Sequence, residues 1–225
     1  MYLALDTSTS VLSLAFAEKD KVLFSVQSFS LSKQSENFFA LLDTAMRLYA
    51  VRWEQIEGIV VGSGPGSFTG LRVGFSAVKA WMCAYHLPVW PVPSFYALFY
   101  KYYQRNPKVQ CVANAMRDNL YIGDFRLRER KLKSSVTMMP RSQWHATLKR
   151  SPGYLFAGES VRYQHDIHDN ALRADIVPAV DTPDAGLLFL AAFSFSPARP
   201  VTEPSRLRPL YFYPEHWQVK KKQPR

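Results

Sequence analysis

The tightest constraint on this chain lies between residues 56 and 86. There an apolar run, IEGIVVG, meets the turn SGPGSFTG and continues into LRVGFSAVKAWMCAYH. Four glycines and one proline fall within residues 62 to 72. A short apolar run closed by glycine reads as a buried strand, and the stretch beyond reads as a helix stopped by Pro88. Two catalytic motifs use such a corner, and both fail on spacing. A P-loop needs Gly-x-x-x-x-Gly-Lys-Ser/Thr, and no such lysine follows Gly62, Gly64 or Gly66; the nearest cation, Arg72, is already inside the helix. A nucleophile elbow needs Gly-x-Ser-x-Gly, whereas Ser67 stands between Pro65 and Thr69, and Ser63 between Val61 and Pro65. Free amides near Ser67 to Gly70 could still receive an anion. A tight strand-to-helix turn accounts for the glycines equally well. Inside the helix, Gly70, Gly74, Ala77 and Ala84 share one side with Trp81. A helical glycine costs about 1 kcal/mol relative to alanine, so close backbone packing is expected along that side.

The flanking segments set an α/β order. YLALD, VLSLAFAE and VLFSVQSF read as strands, the last alternating Val22, Phe24 and Val26, with Lys19-Asp20-Lys21 as a hairpin turn. A helix is expected from about Glu36 to Ala50 with Ser35 as N-cap. Its apolar residues Phe38, Phe39, Leu41, Leu42, Ala45, Met46, Leu48 and Tyr49 cover about half its circumference, wider than one sheet face needs. VWPV is a further strand and SFYALFYKYY a third helix capped by Ser94, completing β-β-β-α-β-α-β-α. Asp6 ends the first strand; it could orient a metal-bound phosphate, or cap the TSTS turn through the Ser8 or Thr9 amide, which the absence of a turn glycine favours.

The second half is harder to read. VQCVANAM and NLYIGDFRLR suggest a hairpin, SQWHATLKR a short helix, GYLFAG a strand and PDAGLLFLAAFSF an apolar helix. LRPLYFYP suggests a returning strand or strap before a basic tail, and no internal repeat is legible. Charge is uneven: residues 101–150 hold 12 Lys/Arg against Asp118, Asp124 and Glu129, nearly all of the chain's +10. Such a patch suits phosphate-rich partners, or is a solvated strand-and-turn face, RLRERKLK. Two cysteines, Cys83 and Cys111, make no disulfide framework and suggest a cytoplasmic setting. No basic-plus-apolar leader and no membrane-length apolar run is visible. His165 and His168 have helix-like spacing without a third ligand and read as a surface polar turn; no metal site and no catalytic residue is assigned.

YLALDTSTSVLSLAFAE, SKQSENFFALLD, GIVVGSGPGSFTGLRVGFSAVKAW and PLYFYP together resemble the bacterial TsaB (YeaZ) family, most specifically through GPGSFTGLRVG at 64–74. The resemblance is strong over residues 1–100 and rests mainly on PDAGLLFLAAF beyond them. It implies an actin-like ASKHA (ribonuclease H-like) α/β fold, two lobes each with a mixed sheet flanked by helices. The expected division is 1–104 for the N-terminal lobe, 105–208 for a smaller basic lobe, and 209–225 for a returning strand and tail.

The same resemblance implies a non-catalytic subunit for making threonylcarbamoyladenosine next to the anticodon of tRNAs that read codons beginning with A. Its implied partners are TsaD, which holds the metal and transfers the group, and the ATPase TsaE. A homodimer is implied when alone, with tRNA contacted indirectly or through residues 101–150. No resident cofactor is implied, and a nucleotide at the heterodimer seam is left open. The catalytic relative carries a His-x-x-x-His motif where this chain reads KQSENFF. The implied interface comprises Phe38, Phe39, Leu42, Met46, Gly70, Val73, Gly74, Ala77 and Trp81, and the vestigial phosphate site Asp6, Ser8, Gly66 and Ser67. Gln34 stands where the family commonly has histidine, and NAMRDNLY (114–121) where it has DARxxEVY, so Asn114 and Met116 depart from the pattern. The rival classes are an ASKHA-fold ATP-dependent phosphotransferase using Asp6 and the 62–70 turn, and a stand-alone RNA-binding protein.

Overall fold

A computed structural model describes residues 1–29, 34–149, 152–171, 173–196 and 199–212, with residues 34–36 described by backbone alone. The first sheet contains β1 (Tyr2–Asp6), β2 (Val11–Glu18), β3 (Lys21–Phe29), β4 (Gly58–Gly62) and β5 (Val89–Val92) in the order β3-β2-β1-β4-β5. The second contains β6 (Lys108–Asn114), β7 (Asn119–Arg128), β8 (Lys131–Pro140), β9 (Leu155–Gly158) and β10 (Asp175–Ile176) in the order β10-β9-β6-β7-β8. In each sheet the first three strands pair antiparallel and the last two add in parallel. The second sheet therefore repeats the topology of the first, a repeat that the sequence does not display. This duplicated mixed sheet with flanking helices is the actin-like, ASKHA architecture.

Among the described residues, six helices flank or separate the sheets: α1 (Gln34–Leu48), α2 (Phe68–Tyr85), α3 (Phe95–Tyr102), α4 (Arg141–Leu148), α5 (Gln164–Asn170) and α6 (Ala185–Ser194). Strand alternation assigns the faces. Leu3, Leu5, Leu12, Leu14, Ile59 and Val61 face α1 and α2, whereas the smaller Ala4, Ala15, Ala17 and Val60 face α3 and α6. Helices α3 and α6 pack on each other between the two sheets, where β6, β7 and β9 supply Val109, Cys111, Phe125 and Leu155 to the same core. On the outer face of the second sheet, α4 and α5 close a smaller core around Trp144, Leu148 and Ile167. The two sheets thus divide the chain between Val92 and Lys108, but the helices do not follow: α6, late in the chain, lies over the first sheet. Asp184 caps α6 by accepting from Leu187 N at 2.9 Å, and Ser13 Oγ accepts from Ala185 N at 2.8 Å.

Some expectations need correction. Strand β8 was not foreseen as an element, because its exposed lysines and serines carry little apolar signal. His165 and His168 lie on a seven-residue helix rather than in a polar turn; it is anchored by the buried Ile167. Ser94 does not cap α3 with its side chain; its Oγ instead accepts from Gly64 N at 3.1 Å. Residues 209–212 belong to no sheet ladder, so the expected returning strand is a strap in that part: Leu210 N donates to Ser63 O at 2.8 Å. An antiparallel bridge upstream, Val89 with Val201, covers the β5 edge. The rest of the expected strand and tail, from 213, lies outside the described residues, as do the side chains of Gln34 and Ser35.

Candidate functional site

The glycine corner is built around the turn after β1. A Cβ on Gly66 would lie 2.0 Å from the Ser8 backbone O, and one on Gly62 would lie 1.9 Å from the Asp6 side-chain Oδ2, so only glycine fits at either position. Ser67 N donates to Ser8 O at 2.6 Å, and Ser67 Oγ caps α2 by accepting from Gly70 N at 3.1 Å. Part of the helix start is thereby satisfied from within.

Asp6 is fully buried under this corner. Its Oδ1 accepts from Ser8 N at 2.8 Å and from Ser8 Oγ at 2.6 Å, the turn-capping arrangement. Oδ2 is buried without a hydrogen-bond partner. Burial raises the carboxyl above its usual range; the Ser8 bonds and the nearby Ser94 hydroxyl offset only part of that. Ser8, Gly66 and Ser67 line a cleft of about 260 Å³ between the lobes, whose far wall includes Asn114, Glu159, Arg162 and Asp181. Asp6 lies beneath that cleft and does not line it. Three of the four residues expected at a vestigial phosphate site thus come together, and the carboxylate is sealed off. Met116 sits on the turn beyond Asn114, 73% exposed, with Asn114 Oδ1 accepting from its amide at 2.8 Å. Among the described residues, no group of three His, Cys, Asp or Glu could hold a metal ion.

The second candidate surface is the outer face of α1 and α2. Phe38 is completely buried, and Leu42 and Ala77 are 4% and 5% exposed, all within the protomer's own core. Gly70 and Gly74 are buried too, and a Cβ on Gly74 would meet Thr7 Oγ1 at 2.5 Å. Helix α2 therefore uses this glycine to pack on the β1–β2 turn. Met46, Val73 and Trp81 are half-buried around that core. Phe39 at 50% and Tyr85 at 40% stand exposed. They continue an aromatic band in which Phe38 meets Phe39 and Trp81, and Trp53 meets Trp81 and stacks on Tyr85 with 4.9 Å between centroids. Leu48, 72% exposed, lies nine residues beyond Phe39 and so on the opposite side of α1. The expected interface set thus divides into an inner layer that the protomer consumes and an outer layer that it leaves open. Trp53 and Tyr85 belong to the outer layer and join it only through tertiary packing, which no window of sequence signals.

Residues 30–140 match the family model described as "TsaD: tRNA N6-adenosine threonylcarbamoyltransferase". A Haemophilus influenzae protein named tRNA threonylcarbamoyladenosine biosynthesis protein TsaB is 28% identical over 43% of this chain and 40% of its own length. The Bacillus subtilis protein of the same name is 24% identical over 60% of this chain and 58% of its own. The matched regions thus span about half the length of these curated relatives. Among solved structures, YeaZ from Pseudomonas aeruginosa superposes with a TM-score of 0.77 at 24% identity, covering 93% of this chain and 98% of that one. Over nearly its whole length the chain has the fold of YeaZ. A second Pseudomonas aeruginosa structure, described as an uncharacterized protein with similarity to peptidase YeaZ, has the same TM-score at 23% identity and covers 94% and 99%. Within this fold, GPGSFTGLRVG is the segment that binds β4, the Thr7–Ser8 turn and α2 into one unit. No helix among the described residues is long and apolar enough to cross a membrane.

Proposed function

We propose that this chain is a non-catalytic, cytoplasmic subunit in threonylcarbamoyladenosine biosynthesis, which pairs with a TsaD-type transferase through α1 and α2 and joins TsaE to the pair. The observation that carries this reading is the uncovered aromatic layer: Phe39 and Tyr85 exposed beside half-buried Met46, Val73 and Trp81. Contiguous aromatic and aliphatic surface on two neighbouring helices is the composition of an interface core. A second copy of the chain would use the same layer when the transferase is absent. The sealed position of Asp6 supports a platform role over phosphotransfer, because a carboxylate without access to the cleft has no reach to a bound phosphate.

The burial pattern decides how to test the pairing. Charges at Leu42 or Ala77 would lie inside the protomer core, so lost pairing would only report unfolding. Phe39→Glu combined with Tyr85→Glu changes exposed side chains and leaves that core intact. The expected outcome is an unchanged melting temperature together with loss of co-purification with the cognate TsaD and of tRNA modification in the reconstituted system. Full co-purification of the folded double variant would refute the reading.

A further inference from the structure

The second sheet carries a charge array that its register makes specific. Lys108 on β6 lies opposite Arg126 on β7, which lies opposite Lys133 on β8; one step further along, Arg128 lies opposite Lys131. Residues directly paired across antiparallel strands share a face. Alternation along β7 fixes which one: Phe125 and Leu127 turn to the core between the sheets, so Arg126 and Arg128 turn outward, on the face that α4 and α5 cover only in part. All five cations are exposed. Strands sit about 4.8 Å apart, and alternate residues along one strand are about 6.8 Å apart. The array is thus a two-row grid of positive charge, with Asp124, paired to Arg126 at 2.9 Å, as an acidic group along it. Like charges placed directly opposite destabilise a sheet, so the grid is a standing cost to the folded chain unless an anion meets it.

We propose that this face, centred on Lys108, Arg126, Arg128, Lys131 and Lys133, binds the phosphate backbone of a folded RNA. A grid with a repeat of this size offers cations at successive phosphates of a strand, and Arg and Lys are the usual backbone contacts. A protein partner would need apolar or aromatic anchors at its centre; the exposed large apolar residues of the described chain lie elsewhere, at Phe39, Leu48, Tyr85 and others off this face. The same lack argues against insertion into a lipid surface. The inference rests on the charge array and not on the pairing through α1 and α2.

The test uses the full chain and a fluorescently labelled tRNA transcript, with anisotropy read across a salt series. Arg128→Gln, Lys131→Gln and Lys133→Gln are combined, sparing Arg126 because it also bonds Tyr154. A control combines Lys19→Gln, Lys21→Gln and Arg52→Gln on the first lobe. The expected result is wild-type affinity that falls steeply with salt, and affinity weakened on the order of 10-fold in the grid variant at moderate salt. Its log–log salt slope should be shallower by roughly two to three, and the control should match wild type. Equal binding by wild type and grid variant, no binding by wild type, or stronger binding to phosphatidylserine vesicles than to tRNA would each overturn the inference. Co-purification with TsaD is measured on the same variant: retained pairing with lost tRNA affinity supports the grid, whereas lost wild-type pairing with intact tRNA binding removes only the proposed function.

Discussion

Replacing Asp6 by asparagine should stabilise this protein at neutral pH. Asp6 is fully buried, one oxygen satisfied by Ser8 and the other without a partner. Its folded-state pKa is raised above the ordinary value of 3.8, chiefly by desolvation. Between those two values the folded chain holds a proton that the unfolded chain has released. The stability carried by that proton is fully present below the unfolded pKa and is lost as pH rises through the folded one. Asparagine keeps an acceptor for Ser8 and puts a neutral amide where the orphaned oxygen stands, beside the Ser94 hydroxyl. Removing one unpaired buried acceptor is worth about 1–3 kcal/mol, which for a chain of this size is several degrees in melting temperature. Urea midpoints of wild type and Asp6→Asn, measured from pH 4.5 to 8, should diverge as pH rises, with the variant more stable. tRNA modification with TsaD should be retained. A variant less stable than wild type at pH 7, or a stability difference independent of pH, would show that the carboxylate is charged and compensated, and the argument would fail.

Two further outcomes follow from the same packing. Gly74→Val should destabilise the fold by about 1–3 kcal/mol, since even its Cβ would meet Thr7 Oγ1 at 2.5 Å; thermal melts of the variant and of Gly74→Val with Thr7→Ala should show partial rescue by the smaller neighbour. Cys83 is exposed, whereas Cys111 is buried and its thiol is pushed up by burial and by Asp181 and Asp124. One cysteine should therefore alkylate in the native protein and the second only in denaturant, as mass spectrometry of iodoacetamide-treated samples will read.

The first lobe was legible in the sequence because each of its signals is local. GIVVG is apolar without interruption because β4 is buried on both faces, and the strand-to-helix corner needs glycines where Ser8 and Asp6 crowd it. The second lobe was less legible because its outer strand β8 is solvated and alternates weakly, and α5 holds a single buried anchor. Of the candidate site, the apolar width of α1 could be counted along the chain. Which of those residues the protomer consumes could not.

By itself, then, the amino-acid order determined the element types of the N-terminal half, the glycine corner, the uneven charge and the resemblance to TsaB, since all of these depend on neighbours along the chain. Tertiary structure alone decided three things. It duplicated the sheet topology, placed α6 over the first sheet across more than 150 residues of sequence from β2, and divided the α1–α2 surface into a buried layer and an open one. Burial and strand register are properties of distant segments brought together, and no window of sequence contains both partners.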